Sequence, residues 1–164
     1  MKTIIIGNGV AANSAASAIR EYEKENNITM ISDESLFFYA RPRLTEYLAG
    51  KSPFEKIIIH DETWYEKNNI DLLRGASVSS IDTEHRMVCG SFGKLKYDKL
   101  LIASGASPSF PPFYNPQLEK VFVLRTKEQA DRIIAATRQC RSAAIIGGGL
   151  LGIETAYALS ERGL

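Results

Sequence analysis

Two stretches of this sequence put glycines where a backbone must come close to an anion: IIIGNGVAA, residues 4–12, and IIGGGLLGIE, residues 145–154. In the first, Gly7 permits a tight turn, Gly9 lets the chain approach a pyrophosphate with no Cβ in the way, and Ala12 is small enough for helix to pack on strand. The second repeats the pattern in full with Gly147, Gly149 and Gly152. Each turn follows an apolar, strand-like run and precedes a helical stretch whose N-terminus offers unpaired N–H groups to phosphate. Asp33 and Glu34 lie about 20 residues beyond the first turn, where a carboxylate accepts hydrogen bonds from an adenosine ribose, and either one meets that requirement. Two such turns indicate two dinucleotides. The chemistry that joins a nicotinamide to a flavin is electron transfer, because one delivers a hydride and the other accepts it and releases single electrons.

The elements that must position these residues follow from periodicity and punctuation. Thr3–Ile6 reads as a strand, Ala11–Tyr22 as a helix and Ile28–Ile31 as a second strand, the order a dinucleotide site requires. Pro42 holds Arg41 extended, and Leu44–Ala49 makes one or two helical turns stopped by Gly50. Asp61 caps ETWYEKNN, after which Ile70–Leu73 resumes as strand. Short alternating strands from Val78 through Val88, broken by CGSFG, predict an antiparallel insert that returns to a buried strand at Leu100–Ala103. The stretch ASPSFPPFYNP carries four of the six prolines and reads as a linker. Beyond it come a strand at Val121–Leu124, a helix with Thr126 and Gln129 as a capping box, and a strand at Ala143–Ile146 leading into the second turn. The expected fold is α/β: residues 1–110 form the N-terminal part of a Rossmann-like domain, three layers with a parallel sheet and a small antiparallel insert. Residues 111–164 begin a second domain of the same kind.

Composition removes several function classes. The 164 residues are 45% apolar and 24% charged, with no apolar run near the ~18 needed to cross a bilayer, so no membrane partner is expected. Twenty Lys and Arg against nineteen Asp and Glu leave a net charge of +1, and the scattered basic residues lack the clustering of a nucleic-acid binder. The start, MKTIIIGNGV, has too short an apolar run for a secretory signal, which makes the cytoplasm the expected compartment. Cys89 and Cys140 have no metal or redox-motif spacing and read as two free thiols, while His60 and His85 read as ordinary structural histidines.

The segments IIIGNGVAANSAASAIR, FYARPRLTEYLAG, YDKLLIASGASPSFPP, VFVLRT and IIGGGLLGIETA, taken in order along essentially the whole chain, resemble the FAD-dependent pyridine nucleotide oxidoreductases. Within that family they are most similar to NADH:rubredoxin oxidoreductases and to the flavin-binding part of NADH-dependent nitrite reductases. The resemblance implies that Gly7, Gly9 and Ala12 face the FAD pyrophosphate, with Asp33 and Glu34 at the adenosine ribose. Arg41 would contact the FAD phosphates or adenine, the backbone of Val78 and Ser79 would meet the adenine edge, and Ala103, Ser104 and Gly105 would turn close to FAD. Arg125 would also reach that cofactor. Gly147, Gly149 and Gly152 would hold NADH or NADPH, and Glu154 would be the catalytic residue where nicotinamide meets flavin.

Departures from the family pattern narrow the chemistry. Glu46 stands where many ferredoxin-reductase relatives carry a lysine beside the flavin. The disulfide reductases' CxxxxC pair is absent after the first turn, as is the lone cysteine that NADH oxidases and peroxidases place near Tyr39–Arg43. Covalent thiol chemistry is therefore not implied, and reduced flavin would pass electrons directly to an external acceptor: rubredoxin, another small redox protein or a nitrite-reducing centre. A thiol-independent NADH oxidase is the competing enzyme, and an inert nucleotide-binding module the competing non-enzyme. Family members are considerably longer, so the 164 residues are expected to be an N-terminal fragment that stops inside the NAD(P)H unit and has no turnover alone.

Overall fold

A computed structural model describes residues 1–110, Asn115 and residues 118–164. The chain forms two compact units, Met1–Tyr39 with Ile58–Ala106, and Ala40–Ile57 with Ser107–Leu164.

In the first unit, β1 (Lys2–Ile6), β2 (Asn27–Ser32), β3 (Ile70–Arg74) and β7 (Lys99–Ile102) form a parallel sheet of order β3-β2-β1-β7. Helix α1 (Val10–Tyr22) joins β1 to β2, and α3 (Glu62–Lys67) leads into β3. Successive strand residues point to opposite faces, so an apolar run such as Ile4-Ile5-Ile6 needs cover on both sides. Ile5, Ile28, Met30 and Ile70 pack with Ala12 and Ala16 of α1 and Tyr65 of α3. Ile4 and Ile31 face the other way, onto Ala76 and Val88. That second cover is an antiparallel sheet of β4 (Val78–Asp82), β5 (Met87–Gly90) and β6 (Gly93–Lys96). The three-layer α/β architecture with its small antiparallel insert is thus present.

One expectation for this unit is corrected. The strand placed at Leu100–Ala103 runs over Lys99–Ile102 and is not buried, with Leu101 37% and Ile102 62% exposed. Among the described residues strand β7 is an edge of the sheet, bonded to β1 alone, and its partly covered Leu100 packs on the insert side. Apolar composition records what a strand can bury, whereas actual burial needs a covering layer.

The second unit is helical. Arg41, expected to be extended before Pro42, instead opens a short 3₁₀ turn at Arg41–Arg43, because a first turn tolerates proline and Ala40 takes the extended position. This turn runs into α2 (Leu44–Ala49), and a second 3₁₀ turn spans Phe54–Ile57. Two further helices, α4 (Lys127–Thr137) and α5 (Leu150–Ser160), complete it. Leu48 of α2 is fully buried against Ile133, Ala158 and Leu159. Side chains reinforce this packing: the Tyr47 hydroxyl and the Lys127 ammonium both donate to Asp131, each at 2.6 Å.

Here two expected strands, Val121–Leu124 and Ala143–Ile146, are corrected, since both lie outside any ladder. A strand exists only where another backbone supplies hydrogen bonds, and no strand is present among the described residues of this unit. Phe122 and Leu124 meet their apolar demand on the helical cluster instead, while Ile146 is 78% exposed.

Local start and stop signals act as their chemistry requires. Gly50 ends α2 at φ +77°. Asp61 accepts from the Trp64 N–H at the head of α3, and Thr126 with Gln129 makes a reciprocal capping box on α4. Among the described residues no helix is long and apolar enough to cross a membrane.

Candidate functional site: two glycine turns

The first turn sits at the carboxyl end of β1, where the chain order of the parallel strands reverses between β2 on one side and β7 on the other. In open α/β sheets ligands bind in the crevice at that point. Gly7 has φ +122°, and its N–H donates to the Ile31 carbonyl at 2.8 Å. A Cβ on Gly7 would lie 2.1 Å from the Ala103 carbonyl oxygen, so only glycine lets β1 and the end of β7 close together. Gly9 is the extended N-cap of α1, with no side-chain cap and with open space where a Cβ would project. The amides of the helix's first turn lack intrahelical acceptors. A narrow backbone turn, open at Gly9 and facing these donors, fits an anionic phosphate. Ala12 is fully buried beneath it.

Other expected site residues of this unit follow the ends of β7 and β2, with Val78 and Ser79 in the antiparallel insert. Ala103 donates its N–H to Ile6, and the chain then passes exposed Ser104 to Gly105 at φ +75°. Beyond β2, Asp33 is exposed, whereas Glu34 is half-buried and its carboxylate accepts from the Tyr39 hydroxyl at 2.7 Å. Between Val78 and Ser80 the β4–β5 register shifts, which leaves Ser79 out of the ladder, and its hydroxyl donates to the Cys89 carbonyl.

The second unit carries the remaining expected residues. The Arg41 guanidinium donates to the Arg125 carbonyl at 2.9 Å, and the Arg125 N–H donates to the Gln129 side chain at 2.8 Å. Gly147 has φ +113°, and Gly149 is the extended N-cap of α5, also without a side-chain cap. A Cβ on Gly152 would lie 2.2 Å from the Gly147 carbonyl oxygen, so this turn closes on its own helix. Glu154 is half-buried, with the Thr45 hydroxyl 3.3 Å from its carboxylate. Glu46 is occupied by Arg43, whose hydrogen bonds draw the carboxyl below its ordinary range despite some burial acting the other way.

Sequence reasoning missed Tyr39 and Thr45, whose contacts come from folding rather than spacing. It also missed a cluster behind the first turn in which Asn8, Asn13, His60 and Tyr65 share hydrogen bonds. The available signal was Asn13, an amide between Ala12 and Ala16 on the buried side of an alanine-rich helix.

A parallel sheet with a glycine turn at its switch point, together with a second glycine turn heading another helix, defines a dinucleotide-binding α/β protein. The pattern of the pyridine nucleotide-disulphide oxidoreductases matches residues 1–164, and the chain belongs to that family of oxidoreductases. It is 39% identical over 163 residues to the NADH-rubredoxin oxidoreductase of Clostridium acetobutylicum, covering 99% of this chain and 42% of that one. The crystal structure of NADH:rubredoxin oxidoreductase from the same organism superimposes with a TM-score of 0.88 at 38% identity, over 99% of this chain and 42% of that one. The large subunit of nitrite reductase [NAD(P)H] from Klebsiella oxytoca is 35% identical over 164 residues, covering 98% of this chain and 17% of the relative. The chain thus spans less than half the length of these curated relatives.

Proposed function

We propose that the protein is an FAD-dependent oxidoreductase that takes electrons from NADH or NADPH and passes them to a small redox protein such as rubredoxin, or to a nitrite-reducing centre. The observation that carries this reading is the pair of glycine turns, each closed by a contact that excludes a Cβ, in a chain that belongs to this family. In this reading residues 1–110 are the N-terminal part of the FAD-binding domain and residues 111–164 the start of the NAD(P)H-binding domain.

Gly7, Gly9 and Ala12 admit the FAD pyrophosphate to the α1 N-terminus. Glu34, held by Tyr39, or the neighbouring Asp33 accepts from the ribose hydroxyls. The adenine edge meets the backbone at Val78 and Ser79, where the bulge leaves peptide groups outside the ladder. Ala103, Ser104 and Gly105 border the same cofactor, with Arg41 and Arg125 supplying positive charge. Gly147, Gly149 and Gly152 receive the nicotinamide dinucleotide at the head of α5, and Glu154 is the catalytic residue near where it meets the flavin. When bound, the flavin supplies the conversion of a hydride into single electrons. Cys89 and Cys140 are free thiols without a partner cysteine, which fits a route needing no disulfide and a cytoplasmic location.

Steady-state oxidation of NADH and NADPH by the full-length protein tests the proposal, with rubredoxin, ferredoxin or nitrite as acceptor. Turnover with a protein acceptor or nitrite is expected. Rapid oxidation by oxygen alone would favour an NADH oxidase, and no oxidation with any acceptor would refute the enzyme.

A further inference from the structure

Beyond Gly7, which its contacts with Ile31 and Ala103 hold to the sheet, the first glycine turn has little of its own to keep its shape. Glycines at 7 and 9 resist few backbone rotations, and Gly9 carries no capping side chain for α1. The one side chain within the turn is Asn8, whose amide nitrogen lies 3.4 Å from the Leu36 carbonyl. Its Oδ1 is 2.8 Å from the Tyr65 hydroxyl and 3.0 Å from Asn13 Nδ2. Asn13 Nδ2 also donates to the Gly9 carbonyl at 3.0 Å, so its two protons go to the turn. Asn13 Oδ1 is then the acceptor for His60 Nδ1 at 3.1 Å, and it lies 3.0 Å from the Tyr65 hydroxyl, whose single proton it shares with the nearer Asn8 Oδ1. This polarity makes His60 the Nδ1–H donor. Its ring is fixed in turn by Trp64, stacked at 3.6 Å with planes 8° apart.

Burial gives the cluster its significance. Asn13 is 2% and Tyr65 3% exposed, within a layer otherwise built from Ile5, Ala12, Ala16, Met30 and Ile70. An amide and a phenol in such a layer are costly unless every polar atom is paired, and a small apolar residue at 13 would pack between α1 and β1 without that demand. Burial also pushes the Tyr65 phenol up to about 12, against its hydrogen bonds, so the hydroxyl keeps its proton for donation.

We propose that Tyr65 and Asn13, braced by His60, are positioning residues that hold Asn8 and thereby fix the Gly7–Gly9 turn in the shape that accepts a pyrophosphate. The relay rests on the assignment of this turn to FAD. It acts on the phosphate-binding backbone, not on the adenosine end of the site.

The test uses the full-length protein, stripped of nucleotide and titrated with FAD, ADP and adenosine, in wild-type, Tyr65→Phe, Asn8→Ala and doubly substituted forms. Each single substitution is expected to weaken FAD and ADP about tenfold, the effect of one lost hydrogen bond in a fixed site, and to leave adenosine unchanged. Because Tyr65 reaches the turn through Asn8, the double variant should lose no more than Asn8→Ala alone. Equal losses for ADP and adenosine, strictly additive losses or unchanged ADP affinity would each overturn the relay. If Tyr65→Phe fails to fold, Asn8→Ala alone decides by the ADP-to-adenosine ratio. A wild-type protein that binds neither FAD nor ADP would remove the cofactor reading itself, a result distinct from any of these.

Discussion

The two glycine turns have nearly the same backbone, with φ +122° at Gly7 and +113° at Gly147, and an extended, uncapped glycine at the head of each helix. They differ in what surrounds the first glycine. A Cβ on Gly7 would strike the carbonyl of Ala103, ninety-six positions later, whereas one on Gly147 would meet nothing within 4 Å. The second turn draws its tightness from Gly152, four residues beyond Gly148 on its own helix. At the middle position Asn8 is tied into a buried cluster, while Gly148 has no side chain to tie. Among the described residues the first turn is thus closed by a distant part of the sheet and the second by its own helix.

The strongest way to break this distinction is to add a methyl group to each first glycine. Gly7→Ala should lower unfolding free energy by about 3 kcal/mol or more, since it combines an unfavourable φ with displacement of β7. In the 164-residue chain, Gly147→Ala should cost only about 1–2 kcal/mol, from φ alone. Urea denaturation of the two variants measures both, and equal losses would erase the difference in support.

Acid sharpens the contrast by a smaller amount. Burial holds the His60 imidazole below its ordinary value, with Asp61 opposing. A base depressed in the folded state leaves stability intact above the unfolded value of about 6.5, and stability is lost as pH falls from there toward the folded value. The first unit should weaken in that window and His60→Phe should flatten the response. Both histidines lie in the first unit, so the second has none to titrate there. Hydrogen exchange resolved along the sequence reads the two units separately, and a parallel loss in the second would contradict the prediction.

The smallest expected effect lies in the second unit. Thr126→Ala removes the hydroxyl that accepts from the Gln129 N–H and should cost about 1 kcal/mol, seen as a lower urea midpoint with exchange increased at the head of α4. An increase spread over the first unit would show that the cap is not local.

What was legible in the sequence follows the range of the interaction that encodes it. The Asp61 cap, the Thr126–Gln129 box and the Gly50 stop each depend on residues within one helical turn and stand as expected. The three-layer order was legible because adjacent isoleucines demand opposite covers. Strands at 121–124 and 143–146 were not, because a ladder depends on a partner elsewhere in the chain. The same holds for the exposed flank of β7. In the site, glycine spacing marked both turns, but no spacing announces that Tyr39 reaches Glu34, that Thr45 faces Glu154 or that Tyr65 backs Asn8.

The excursion of residues 40–57 out of the first unit begins and ends at neighbouring points, because Tyr39 bridges Ile58 and the Ile59 N–H donates to Phe38. During translation, which proceeds N-terminus first at about 5–20 residues per second, this has a temporal consequence. Strands β1, β2, β3 and β7 can assemble as soon as they leave the ribosome, with the excursion tied off as a loop. Helix α2 emerges early yet must wait, its Leu48 uncovered, until α4 and α5 are synthesised. The apolar face of that short helix is therefore open to a chaperone until those helices are made.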